Sequence, residues 1–338
     1  MKKTFFLIIF LFSILNCHCQ TAKDYVDKGL LKIDKQDYQG AIADFNKAIK
    51  INPKYAKAYN SRAFAKEHLE DYQGSLADYS RAIEINPNDT EAYNSRGVLK
   101  KYYLKDDRGA IADYSKVIEI NPKDAEAYTM RALAKESLED YQGALADFSK
   151  AIELNPKDTL DYTMRALAKE YLQDYRGAIA DYSKVIELNP KDTEAYKSRG
   201  RSKSLLKDYR GAIADYSKAI ELNPFDTEAY NSRAFAKEHL EDYQGSLADY
   251  SRAIEINPND TEAYNSRASE KESLRDYQGA LADYSKVIEI KPKSIYGYIS
   301  RGLLKIRLGQ KDGGCLDISK AGELGYEDAY EIIKKFCN

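Results

Sequence analysis

The stretch TEAYKSRGRSKSLLKDYRGAIADYSKAIELNPFD, Thr193–Asp226, holds two helical patterns separated by a short break. In the first, Ala195, Tyr196, Gly200 and Leu206 fall near helical spacing, a moderate apolar stripe. Asp192 and Thr193 stand before it as N-caps, and Glu194 in its first turn suits the helix dipole. In the second, Ala212, Ile213, Tyr216, Ala219 and Ile220 fall at i, i+1, i+4, i+7 and i+8, a stronger stripe. Asp208 can cap its start. Asn223-Pro224 stops it, because proline lacks an N–H and disfavours helix in the residue before it. The stretch predicts a helical hairpin that cannot bury its apolar face alone.

Neighbours of the same design fill the chain. Prolines fall at Pro53, Pro87, Pro122, Pro156, Pro190, Pro224, Pro258 and Pro292, at steps of 34 residues with one step of 35. Glycines from Gly40 through Gly313 mark each second helix in register. The sequence assigns them to helix packing rather than to a phosphate loop. The expected fold is all-α, an α-solenoid superhelix of stacked antiparallel helix hairpins.

The recurring set Tyr196, Gly200, Ala212, Tyr216, Pro224 resembles the tetratricopeptide repeat family. It returns as Tyr59, Ala63, Ser75, Tyr79, Pro87 and as Tyr264, Ala268, Ala280, Tyr284, Pro292. The resemblance covers nearly all of the chain after residue 20. It implies a right-handed superhelix with a concave inner face. The repeats are read at 22–55, 56–89, 90–124, 125–158, 159–192, 193–226, 227–260, 261–294 and 295–325, with a capping helix at 326–338.

A formal net charge of −2 points away from nucleic acid and from a charge-anchored membrane surface. The abundant tyrosines sit at periodic positions such as Tyr196, Tyr209 and Tyr216 and read as packing residues. Residues 1–19 differ. Lys2 and Lys3 precede an apolar run from Phe5 to Leu15, and Cys17 and Cys19 occupy the small-residue places before Gln20. This reads as a secretory signal peptide, giving an exported chain in the periplasm or outside the cell, with no membrane insertion of the mature part. A lipoprotein signal is the rival, weakened by Asn16 and His18 where a small residue belongs.

Two departures from regularity stand out. The third repeat carries one extra residue around Tyr102 and Tyr103, and Asp107 replaces the tyrosine that opens the second helix. The expectation is a longer first helix with one of those tyrosines filling the vacated space; a kink or partner contact is the alternative. Second, Ala58–Arg96 and Ala229–Arg267 are identical. Interchangeable units suit a periodic binding surface or a spacer, and argue against a catalytic site. At the C-terminus, Cys315 and Cys337 lie where the ends of an antiparallel hairpin meet, so an oxidising compartment predicts a disulfide, with two free thiols as the alternative.

The search for chemistry is mostly negative. His68 and His239 lack a second ligand at helical spacing, so no metal and no cofactor is expected. Where the family usually has leucine and tyrosine, this chain has arginine and lysine, as at Arg199 and Lys203. The second helix supplies a matching acid, Asp215. The reading is a ladder of buried ion pairs, Arg199 with Asp215 and Arg165 with Asp181 among them, that fixes helix register; an anion-binding stripe is the alternative.

The resemblance places repeat positions two, five, nine, twelve and thirteen on the concave face. That gives Glu194, Lys197, Arg201, Ser204 and Leu205 in one copy, and Glu228, Asn231, Phe235, Glu238 and His239 in the next. Elsewhere it gives Asn60, Phe64 and Glu67; Asn94; Thr129 and Glu136; Thr163 and Glu170; and Asn265. The lysine and asparagine clamp with which some members hold C-terminal carboxylates is missing, since Asn60 and Asn94 stand where its first lysine belongs. A groove this rich in glutamate suits an extended protein segment with basic or amide side chains. The same glutamates could instead serve solubility alone. The function read from the sequence is a non-enzymatic scaffold. A glycan-binding or spacer accessory is the second reading, and self-association through the end repeats stays open.

Overall fold

The computed structural model describes residues 20–337. The segment read as a signal peptide lies outside the described residues. The chain divides into two compact units, the first ending at Ala168 and the second beginning at Lys169. The first unit contains the helix pairs Ala22–Ile33 with Tyr38–Ile51, Ala56–Glu67 with Tyr72–Ile85, Thr90–Val98 with Asp107–Ile120, and Ala125–Ser137 with Tyr141–Leu154. Thr159–Tyr171 is a single helix that runs from one unit into the other. The second unit continues with Tyr175–Leu188, then pairs Thr193–Leu205 with Tyr209–Leu222, Thr227–Glu238 with Tyr243–Ile256, Thr261–Ser273 with Tyr277–Ile290, and Ile295–Arg307 with Lys311–Glu323. Ala329–Phe336 closes it. Within each unit a first helix packs on its own second helix, and each second helix packs on the first helix that follows. No strand occurs among the described residues, and none of their helices is long and apolar enough to cross a membrane.

Small residues set the spacing. Ala212 and Ala236 are fully buried beside the ring of Tyr216, and the same alanine–aromatic packing recurs at Ala144 with Phe148 and Ala280 with Tyr284. A Cβ on Gly200 would stand 2.8 Å from the Tyr216 ring, so the ring must shift in the repeats that carry alanine here, such as Ala234 and Ala268.

Every second helix but the last, which starts after Gln310 without a side-chain cap, begins with a capping aspartate. Asp208 Oδ1 accepts the Gly211 N–H at 3.0 Å, and Asp71, Asp140 and Asp242 do the same for Gly74, Gly143 and Gly245. A Cβ on Gly211 would lie 2.2 Å from the Asp208 carboxylate. Most of the periodic glycines are therefore set by the cap and not, as the sequence suggested, by helix packing. Just before the cap, the turn between the helices needs a left-handed residue. Lys207 occupies it with φ +63°, as do Gln36, Glu70, Lys105, Glu139, Gln173, Glu241 and Arg275; only the ninth repeat uses glycine, Gly309. The turn closes with Asp208 N–H donating to Lys203 C=O, a Schellman arrangement in which glycine is ordinarily favoured.

The ion-pair ladder is denser than pairs. Arg199 donates through Nε and Nη2 to both oxygens of Asp215, at 2.9 and 2.6 Å, and Lys203 Nζ reaches the same carboxylate at 2.7 Å. The remaining guanidinium nitrogen donates to Ser183 Oγ on the preceding repeat at 3.0 Å, while the guanidinium lies over the Tyr196 ring. The same set holds Arg131 to Asp147, Arg233 to Asp249 and Arg301 to Asp317, and Arg62 forks onto Asp78 in the same way with Asn46 in place of the serine. Arg165 and Asp181 belong to different units. Within its own unit Arg165 donates to Ser149, and Asp181 accepts from Lys169 at 2.7 Å.

The third repeat corrects one expectation. The extra residue is absorbed by a π-helical turn, Leu99–Tyr103, that ends the first helix. Tyr102 and Tyr103 do not fill vacated space; both are exposed, and Tyr103 stacks on Tyr72. The residue that turns inward is Lys101, which donates to Asp107, to the Leu133 carbonyl and to Ser137 Oγ. Insertion and Tyr-to-Asp replacement thus act together, because the lysine turned inward by one needs the carboxylate supplied by the other. At the C-terminus Cys315 and Cys337 are joined with their Cα atoms 5.9 Å apart, tying the last helix to the helix before it.

Two stability predictions follow from this geometry. Lys207→Gly should raise the thermal midpoint, by about 0.5–1 kcal/mol in stability, since the left-handed turn then costs no Cβ strain; a lower midpoint would contradict it. A double-mutant cycle with Arg199→Ala and Asp215→Ala, read by urea unfolding, should give a coupling of about 1–3 kcal/mol, and additive effects would mean that the fork does no more than fill space.

Candidate functional site

In the second unit the exposed edges of consecutive first helices leave two adjoining hollows. The larger, about 720 Å³, lies between the helices Thr193–Leu205, Thr227–Glu238 and Thr261–Ser273; Arg201, Ser204, Leu205, Asn231, Phe235, Tyr250 and Glu262 line it. The smaller, about 410 Å³, shares Phe235, Tyr250, Glu262 and Ser266 and adds Glu238, Asn265 and Tyr296. Helical periodicity explains the lining: positions five, nine and twelve share one stripe on their helix.

The site holds acceptors that lack partners, although Arg201 and Lys207 also line its larger hollow. The carbonyl oxygens of Asn231 and Asn265 and the hydroxyl of Ser204 are buried without a hydrogen-bond partner. Asn231 uses its NH₂ group on Asp260, at 2.9 Å, which orients the orphan oxygen. Glu238 and Glu262 form no ion pair among the described residues. Their charge is felt nearby. Burial first, then Glu238, Glu270 and Glu262, push the Tyr250 phenol well above its ordinary value, against a lowering by Ser266. Phe235 is 47% exposed and rests at a tilt against His239, 4.3 Å between centroids, which in turn lies against Tyr209 at 4.6 Å. His239 itself is fixed by its Nδ1 contact with the Phe235 carbonyl at 3.0 Å.

Behind the groove wall lies a group that sequence reasoning passed over. Glu270 is 3% exposed; its Oε2 accepts from Ser246 Oγ, and Oε1 has no partner. Burial is the main cause holding its pKa above the ordinary glutamate value, with Glu238 and Asp242 adding. The signal was in the sequence: Ala65, Ala134, Ala168 and Ala236 hold the corresponding place in other repeats.

Several residues assigned to the partner face are not free for a partner. Position five turns toward the start of the next first helix. Lys197 is therefore buried and bound to Glu194, Asp226 and Glu228, and Thr129 is buried and donates to Asp161 at 2.6 Å. Glu170 is occupied by Arg201 and Ser202, which also explains why Arg201, though exposed, does not offset the groove's acids. Thr163 bonds back to the Thr159 carbonyl, and Glu136 is half-buried near Lys101. Asn94 is half-buried. In the first unit Asn60 and Phe64 line a smaller hollow of about 200 Å³, and Glu67 accepts from the Tyr79 hydroxyl. Among the described residues no cluster of three His, Cys, Asp or Glu side chains could hold a metal ion.

Stacked hairpins with a solvent-open face and a groove define a helical-repeat interaction scaffold. Sequence profiles of the tetratricopeptide repeat match residues 56–89, 125–158, 163–227, 206–261 and 261–294, and a TPR repeat profile matches 29–69. The chain belongs to the tetratricopeptide repeat family. Among solved structures it is similar to the C-terminal part of a TPR repeat-containing protein from Cytophaga hutchinsonii, with TM-score 0.63, 20% identity, and 70% of this chain and 97% of that one covered. It is also similar to a tetratricopeptide repeat protein from Parabacteroides merdae, with TM-score 0.53, 24% identity, and 73% and 99% covered. No curated protein sequence matches it.

Glu270 gives the groove wall a pH dependence. Its folded pKa is raised, so the unfavourable contribution is absent below the unfolded value and grows as pH rises through the folded one. Glu270→Gln should raise the thermal midpoint at pH 7 and leave it unchanged near pH 4; a variant less stable at pH 7 would show that the charge is compensated.

Proposed function

We propose that the protein is an exported, non-enzymatic scaffold that holds an extended protein segment along the first-helix face of its second unit. The segment is read through basic or amide side chains. The observation that carries this reading is the pairing of two carboxylates without cations, Glu238 and Glu262, with two buried amide oxygens without donors, Asn231 and Asn265. A lysine or arginine answers the carboxylates, and Phe235 offers it a π face. Export rests on the Lys2 to Leu15 pattern of the leader.

The test uses the mature chain, residues 20–338, and the blocked peptide Gly-Arg-Gly-Asn-Gly-Arg-Gly, with glutamate in place of arginine as control. Binding should be confined to the arginine peptide and should weaken with salt. Glu238→Gln and Glu262→Gln should each weaken it about three- to tenfold. Equal binding of the glutamate peptide, or indifference to both substitutions, would sink the proposal.

A further inference from the structure

The identical segments Ala58–Arg96 and Ala229–Arg267 fall one in each unit. Asn60, Phe64, Tyr79, Glu91 and Ser95 line the hollow of the first unit, and their exact counterparts Asn231, Phe235, Tyr250, Glu262 and Ser266 line the larger hollow of the second. The local chemistry is repeated as well. The Asn60 carbonyl oxygen is buried without a partner, and Glu67 and Glu91 form no ion pair among the described residues. Phe64 lies 4.3 Å from the His68 ring, which stacks on Tyr38 at 4.6 Å, matching Phe235, His239 and Tyr209.

What differs is the wall contributed by the preceding repeat. In the first unit it is Leu30 and Ile33, half-buried and apolar. In the second the same places hold Arg201, turned to Glu170, and Ser204, whose hydroxyl lacks a partner. The first hollow is narrower, about 200 Å³ against about 720 Å³.

We infer that the first unit carries a second binding site for a basic side chain, which selects one with an apolar neighbour, while the site in the second unit selects one with a polar neighbour. This rests on the reading of the second-unit groove given above. The shared floor supplies acceptors and an aromatic face to the cation in both units. The flanking residue of the ligand meets Leu30 and Ile33 in one, where burying apolar surface is favourable, and uncharged or paired polar groups in the other. One chain would then engage two segments of different context at once.

The experiment is calorimetric titration of the mature chain with two blocked pentapeptides, Gly-Leu-Arg-Leu-Gly and Gly-Ser-Arg-Ser-Gly. Phe64→Ala should weaken the leucine peptide about tenfold and leave the serine peptide unchanged. Glu91→Gln, a change at an exposed residue, should act in the same direction and guards against a folding defect. Failure of the leucine peptide to bind, or its indifference to Phe64→Ala and Glu91→Gln, overturns the second site. Phe235→Ala reads the earlier proposal separately: loss of serine-peptide binding there, with no effect of the first-unit variants, would leave the groove of the second unit standing and remove only the inference drawn here.

Discussion

The arginine that recurs from the second repeat onward meets several demands at one atom set, as Arg199 shows. Arg199 lies over the Tyr196 ring three residues before it on its own helix, forks onto Asp215 across the hairpin, and donates its last nitrogen to Ser183 on the preceding repeat. Asp215 is nearly buried and needs the second cation, Lys203, to settle its remaining oxygen. A bidentate fork accepts only one relative position of its partners, so it sets the register of the two helices in a way that alanine packing alone cannot. With interiors made largely of alanine, the helices lie close and slide easily in principle. The fork removes that freedom wherever it forms, while the first repeat holds Asp44 with Lys32 and Lys47 instead.

The hairpins, their length and the pairing of arginine with aspartate were legible because they repeat, and repetition turns a weak single-site pattern into a strong one. Asp208 as a cap was legible too. The role of Gly211 was not, because a glycine forced by a capping carboxylate looks the same in sequence as one forced by a neighbouring helix. The left-handed turn was hidden for the opposite reason: Lys207, Glu241 and Arg275 carry none of the glycine signal that usually marks it. Lys197 and Thr129 went to the wrong face since position five sits on the border between groove and repeat interface. Only the length of the side chain and the acid it finds on the next repeat, Asp226 for Lys197 and Asp161 for Thr129, decide which way it turns.

The departures from the repeat carry more information than the repeat. Lys101 with Asp107 shows how an insertion is made harmless, by giving the displaced lysine a carboxylate and two oxygens on the next repeat. Glu270 shows the reverse. It stands in place of alanine, costs stability when ionised, and lies behind the wall that bears Glu238. A buried carboxylate with one unpaired oxygen deepens the negative potential of the groove and raises the Tyr250 phenol with it. Ionising Glu270 at this place costs stability that alanine in the other repeats does not.

The identical segments bring these points together. Identical residues fold into the same floor in each unit, with the same tilted Phe–His contact resting on a tyrosine of the preceding repeat and the same orphan asparagine oxygen. Selectivity therefore cannot come from the floor. It must come from what the neighbouring repeat contributes, Leu30 and Ile33 in one unit, Arg201 and Ser204 in the other. In a repeat array a groove is always built from at least two copies, so duplicating one copy into a new context makes a new site without changing a residue of the copy itself.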